Sequence, residues 1–169
     1  MNTFLVSDTH FNHNNIIKYC DRPFNSVSQM DDDMIHLWNS KVAKEDIVYH
    51  LGDFALGSKE QLSELRERLN GRIRLIMGNH DTFKLKDYYQ MGFDRVYDKP
   101  IIIEQFYILS HEPLFITETM PYVNIFGHVH NNPQYNSFTS NSACVCVERT
   151  EYKPMNFENI KKIIKSYNE

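Results

Sequence analysis

Five times in this chain a short apolar run of strand length stops at a cluster of His, Asp and Asn. Thr3 to Ser7 meets Asp8-Thr9-His10, Asp46 to His50 meets Leu51-Gly52-Asp53, and Arg72 to Met77 meets Gly78-Asn79-His80-Asp81. Phe106 to Ser110 meets His111-Glu112, and Tyr122 to Phe126 meets Gly127-His128-Val129-His130. Any one of these pairings recurs by accident; their coincidence is the signal. In an α/β sheet, ligands collect outside the carboxyl ends of the strands, so a fold that pairs these runs brings the clusters onto one rim. The glycines among them let the backbone turn sharply there.

The segments between the first runs have helical period. Helices are expected over Asn14 to Cys20 and over Ser28 to Val42, the second with Met30, Met34, Leu37, Trp38 and Val42 on one face. Ser58 with Gln61 forms a capping box for a helix carrying Leu62, Leu65 and Leu69, and Gly71 closes it. A further short helix fits Phe83 to Met91. From Arg95 onward the period becomes that of strands: Arg95 to Tyr97, Ile101 to Glu104, Phe106 to Ser110, Tyr122 to Phe126 and Ala143 to Tyr152. An amphipathic helix from Asn156 to Tyr167, with Phe157, Ile160, Ile163, Ile164 and Tyr167 inward, ends the chain. No repeat or linker interrupts residues 1–169, so one domain is expected.

Composition supports a packed core: 41% of residues are hydrophobic and 13% aromatic among 169. Eighteen basic and twenty-two acidic residues leave a net charge of −4, evenly interspersed, so neither duplex DNA nor an anionic membrane finds an electrostatic footprint. The first residues lack a basic n-region and no apolar run reaches bilayer length. Cys20, Cys144 and Cys146 are too few for a disulfide framework and read as small core residues, which points to a reducing cytoplasm.

The pooled residues at the expected rim are oxygen and imidazole donors without thiolate. Such a set suits Mn, Fe, Zn, Ni or Co better than Ca or a cysteine-bound structural zinc. Using all of them requires two ions. Paired ions about 3.5 to 4 Å apart cleave phosphate esters by activating a bridging hydroxide and neutralising the attacking and leaving oxygens. A bridging carboxylate is then needed, and Asp53, alone between the flanking clusters, is the natural choice.

Taken in order, Asp8-x-His10, Gly52-Asp53, Gly78-Asn79-His80-Asp81, His111 and Gly127-His128-x-His130 match the five motifs of the calcineurin-like metallophosphoesterases, which the chain resembles over residues 8 to 130. Ser7 to Ile17, Tyr19 to Phe24 and Val147 to Pro154 are similar to the small, cap-less bacterial and phage members. The resemblance implies a four-layer α/β fold, a central β-sandwich flanked by helices. It implies that Asp8, His10, Asp53 and His130 hold one divalent ion and Asp53, Asn79, His111 and His128 the other. Mn is the first expectation for both, with Fe, Zn, Ni, Co or Mg as alternatives. His80 would face the phosphate, stabilising charge or protonating the leaving group, with Asp81 orienting its imidazole.

The chain also departs from some branches of that family. Phe54-Ala55-Leu56-Gly57 follows Asp53 where Ser/Thr phosphatases have Asp-Arg-Gly, and 169 residues fall short of the length of the family's repair nucleases, so processive duplex nuclease action is not expected. A phosphodiesterase on a small or nucleotide-type substrate, or a short oligonucleotide, is therefore expected; a phosphomonoesterase and a catalytically silent scaffold are the alternatives. His13 and Arg22 border the expected site, Arg22 either touching a phosphate oxygen or pairing locally. His50 either supports a ligand carboxylate or is a buried strand histidine. Phe11, Phe54 and Tyr135 could stack a base or simply pack. The segments Leu114 to Pro121 and Asn131 to Asn141 are expected to shape specificity.

Overall fold

The structure, a computed structural model, describes residues 1–117 and 119–169; Glu118, within the expected specificity segment, lies outside the described residues. Strands β1 (Thr3–Val6), β2 (Ile47–His50), β3 (Arg72–Ile76) and β4 (Arg95–Tyr97) lie side by side and parallel. Their registers, Val6 opposite His50 and His50 opposite Leu75, align the carboxyl ends, so Asp8, Asp53 and Asn79 emerge from one edge. Crossover helices α1 (Asn14–Tyr19), α2 (Val27–Asn39), α3 (Lys59–Arg68) and α4 (Leu85–Gln90) make this parallel pairing possible.

Alternate residues of the strands then supply both faces. Phe4, Val6, Val48 and Ile73 pack with Met30, Met34, Trp38, Leu62 and Leu65 of the helices. Leu5, Tyr49 and Ile76 face a second sheet of β5 (Ile101–Ile103), β6 (Tyr107–Leu109), β7 (Val123–Phe126) and β8 (Ser142–Cys144), in the order β5-β6-β7-β8. β9 (Met155–Asn156) runs antiparallel on the free edge of β1, and α5 (Phe157–Ser166) buries Phe157, Ile160 and Ile164 in the core between the sheets. The result is the expected α/β architecture, two sheets flanked by helices. Beyond the end of β1 the two sheets are stitched together: Ser7 N–H donates to Val145 O at 2.9 Å and Val147 N–H to Ser7 O at 3.1 Å.

Two sequence-based expectations fail locally. The strand expected over Ala143 to Tyr152 ends at Cys144, because Val147–Arg149 wind into a 3-10 turn that carries Glu148 inward beneath His130. Tyr167 is 58% exposed rather than inward, and α5 ends one residue before it. Among the described residues no helix is long and apolar enough to cross a membrane.

Candidate metal centre

β1 and β2 stay hydrogen bonded after their strand geometry ends, and this extension places the first ligands. Asp8 N–H donates to Gly52 O and His10 N–H to Asp53 O, both at 3.0 Å, so the two carboxylates stand side by side. The chain bends sharply at these positions. Asp8, His10, Asp53, His128 and His130 all adopt positive φ, between 49° and 69°, which costs an L-residue energy and persists only where the surroundings impose it. Gly78 and Gly127 are required for a second reason, close approach: a Cβ on Gly78 would strike the Asp53 carboxylate, and one on Gly127 the Asp8 carboxylate and the Ser7 hydroxyl.

All seven expected ligands meet at this rim. Asp53 Oδ2 lies 3.4 Å from His10 Nε2 and 3.6 Å from His111 Nε2, between two groups of donors. On one side Asp8 Oδ1 is 3.6 Å from His130 Nε2 and 3.9 Å from His10 Nε2. On the other, His111 Nε2 is 3.0 Å from Asn79 Oδ1 and 3.1 Å from His128 Nδ1. Carboxylate oxygens and imidazole nitrogens of Asp8, His10 and His130, and of Asp8, Asp53 and His111, lie mutually within 4.8 Å.

The internal hydrogen bonding shows that these donors fit a cation. Asp8 Oδ1 and His10 Nε2 are buried and have no hydrogen-bond partner among the described residues, an expensive condition for polar atoms. His111 Nδ1–H donates to Leu51 O at 2.7 Å, and its Nε2 faces Asn79 Oδ1 at 3.0 Å and Asp53 Oδ2 at 3.6 Å, so a neutral imidazole, the form a metal ligand takes, would set a lone pair against two acceptors. A positive ion between them resolves that opposition. Burial alone would raise the Asp53 carboxyl, but His10, His111 and the His80 N–H, which donates to Asp53 Oδ1 at 2.8 Å, hold it far below the usual carboxylate range. Asp53 therefore stays ionised.

Surrounding residues fix the ligands, and here the structure separates the remaining expectations. His13 Nδ1 is 3.3 Å from His10 Nδ1, within hydrogen-bond reach, and burial together with His10 and His80 lowers its pKa. Arg22 does not reach the cleft. Its buried guanidinium donates to Asp8 O at 2.7 Å and Thr9 O at 2.8 Å and is paired with Glu148, which is the local pairing rather than the phosphate contact. His50 does not touch a ligand carboxylate; it lies 2.9 Å from Thr9 Oγ1, which donates onward to Phe54 O, and burial pushes it down to about 3, so it is neutral.

Asp81 departs from its expected role. It accepts from the N–H groups of Asp53 at 2.7 Å, Gly78 at 2.8 Å and Phe54 at 3.1 Å, and among the described residues no hydrogen bond joins it to the His80 ring. It clamps two ligand-bearing turns together, while burial pushes its carboxyl up to about 6. His80 itself is exposed, its ring 5.3 Å from that of His10 and 6.2 Å from that of His13. Phe11 and Phe54 are fully buried and pack; Tyr135, 38% exposed, lies against Phe126.

Sequence reasoning missed Glu148. Its Oε1 accepts from Arg22 Nε at 3.0 Å and Nη2 at 2.7 Å and meets His130 Nδ1 at 2.9 Å, so one carboxylate steadies both His130 and, through Arg22, the Asp8 loop. Burial pulls His130 down, but the Cys20 thiol, Glu148 and Asp8 outweigh it and hold the imidazole at about 10. Cys20 thus borders the site, and Cys146 Sγ lies 3.3 Å from Asp8 Oδ2.

A cluster of carboxylate and imidazole donors able to hold metal lies at the carboxyl ends of a two-sheet α/β fold, and comparison with known proteins gives the chain a family. The model of the calcineurin-like phosphoesterase superfamily domain matches residues 1–141, and the chain belongs to that superfamily. It is 39% identical to the protein MJ1445 of Methanocaldococcus jannaschii, over 95% of this chain and 90% of that one. The Gene 66 protein of Mycobacterium phage D29 is 40% identical over 47% of this chain and 40% of its own length. Among solved structures, AQ665 from Aquifex aeolicus superposes with a TM-score of 0.73 at 30% identity, covering 96% of this chain and 98% of that one. The nuclease MPE of Pseudomonas putida gives 0.52 at 24% identity, with 76% and 61% covered, a likeness of fold alone.

Proposed function

We propose that this chain is a phosphodiesterase that uses two divalent ions, Mn foremost, to hydrolyse a small or nucleotide-type phosphodiester. One observation carries the reading: a single ionised carboxylate, Asp53, stands 3.4 Å and 3.6 Å from imidazoles of two separate donor groups, as a residue shared between two ions must. Asp8, His10, Asp53 and His130 would hold one ion, and Asp53, Asn79, His111 and His128 the other. When bound, such a pair supplies Lewis acidity to the phosphate and a nucleophile at neutral pH.

The chain's own residues do the rest. His80, exposed beside His10, is placed to stabilise charge on the phosphate or to deliver a proton to the departing oxygen, while His13, Arg22 and Glu148 keep the ligands in register. Preference for a diester rests on space: cavities of about 390 Å³ and 290 Å³ flank the donors, one bounded by His10 and His130, the other by Asn79 and His111. A diester has an arm for each. The three cysteines are free and buried, which suits a reducing compartment such as the cytoplasm.

Parallel assays of bis-p-nitrophenyl phosphate and p-nitrophenyl phosphate, with Mn, Ni, Zn, Mg or EDTA, test this reading. Metal-dependent diester cleavage that disappears in Asp53→Asn is expected. Dominant monoester cleavage would make it a phosphomonoesterase instead, and bound metal without turnover on either would leave a scaffold of the same fold.

A further inference from the structure

The two cavities differ in chemistry. The one at Asn79 and His111 also presents Asp98, Lys99 and Glu112, whereas the one at His10 and His130 has, among the described residues, no Lys, Arg, Asp or Glu in its lining. Ile16 and Val129 form its apolar part, and the Tyr19 ring stands beside them. Tyr19 is the last residue of α1 and is 73% exposed, although Ile16, one turn earlier, is 4% exposed and anchors the helix. Its ring stands roughly perpendicular to the His13 ring, centroids 6.4 Å apart at 82°, and stays 73% exposed. His80 lines this cavity and is absent from the lining of the other.

We propose that this cavity is the subsite for the leaving arm of the substrate, and that the arm is a planar aromatic group, a nucleobase or an aryl ester, stacked on Tyr19. The inference rests on the phosphodiesterase reading given above and deepens it. Position follows from His80: hydrolysis forms one P–O bond from water and breaks the bond to the leaving arm. The arm's oxygen departs as an alcohol with the proton delivered by His80, and the proton released by water restores the imidazole. That exchange can occur only in the cavity that His80 lines. Chemical class follows from the lining: an exposed aromatic ring beside aliphatic side chains, with no Lys, Arg, Asp or Glu among the described lining residues, accepts a planar neutral ring. An arm with charged or strongly polar substituents belongs on the opposite side, at Lys99.

Two diesters separate the arms, methyl p-nitrophenyl phosphate with an aryl leaving group and bis(2,2,2-trifluoroethyl) phosphate with none, assayed on the Mn-loaded full chain. Tyr19→Ala is expected to lower kcat/KM for the aryl diester about tenfold, the scale of one stacked ring, and to leave the alkyl diester within about twofold. Tyr19→Phe should keep wild-type values, and Tyr167→Ala, exposed on α5, should change neither. Equal losses on both diesters, or none on the aryl one, would overturn the assignment. Equilibrium dialysis of p-nitrophenol and of adenosine against metal-free protein reads the subsite without turnover. Weakening of both by about tenfold in Tyr19→Ala supports it, and unchanged retention refutes it. Hydrolysis that survives Asp53→Asn would remove the metal reading while leaving the dialysis result to stand or fall separately.

Discussion

Replacing Glu148 by glutamine keeps the outline of the side chain and removes the charge that Arg22 and His130 share. The Glu148 side chain is 3% exposed and that of Arg22 0%, so the variant strands a guanidinium in the interior. Breaking a buried pair in this way costs about 3 to 5 kcal/mol. The carboxyl itself gives a second figure. Burial pushes it up, but His130 and Arg22 outweigh that and hold it at about 2 against an ordinary 4.5, which corresponds to about 3 kcal/mol. The sign is fixed: a carboxyl depressed on folding stabilises fully above pH 4.5, and the contribution is lost as pH falls towards 2. Urea unfolding of metal-free protein should therefore find Glu148→Gln about 3 kcal/mol less stable than wild type at pH 6, with the gap narrowing from pH 4.5 to pH 3. Adding Arg22→Met should recover part of the loss. A variant within about 0.5 kcal/mol of wild type at pH 6, or a gap that persists undiminished at pH 3, would show that the pair does not brace the fold.

Three further outcomes follow from the same geometry. Because His130 is held at about 10 without metal and a ligand must be neutral, metal loading at pH 7.5 should release its proton; calorimetric heats independent of the buffer's ionisation enthalpy would contradict this. Gly127→Ala drives a methyl group into the Ser7 hydroxyl and the Asp8 carboxylate, so a stability loss of about 1 to 3 kcal/mol with reduced metal content is expected, checked by thermal melting and elemental analysis. Asp81→Asn presents an amide to three N–H groups and should lower stability by about 2 to 3 kcal/mol; unchanged melting with a displaced pH–rate profile would instead restore the role of orienting His80.

The grouping of the candidate ligands was legible because each sits within a few residues of a strand's end, and covalent order alone carries Asp8, Asp53 and Asn79 to one edge once β1, β2 and β3 pair in parallel. The helices were legible for the same local reason, since an apolar stripe such as Met30, Met34 and Trp38 is visible in any window that spans it. What escaped is what depends on distant partners. Glu148 looked like one polar residue in a strand, yet its value comes from Arg22, 126 positions away, and from His130, 18 away; no local period encodes either. Asp81 and Arg22 were read by their neighbours in sequence, and both turned to backbone instead, the one to the turns that hold Asp53 and Gly78, the other to the carbonyls of Asp8 and Thr9. Tyr19 carried no signal because a six-residue helix does not declare which face opens on a cleft. These omissions share a cause: five candidate ligands in left-handed backbone, and two buried atoms without partners among the described residues, raise the energy of the rim. Something besides the candidate ligands must hold them, and the clamp of Asp81 and the brace of Arg22 with Glu148 are placed to do so.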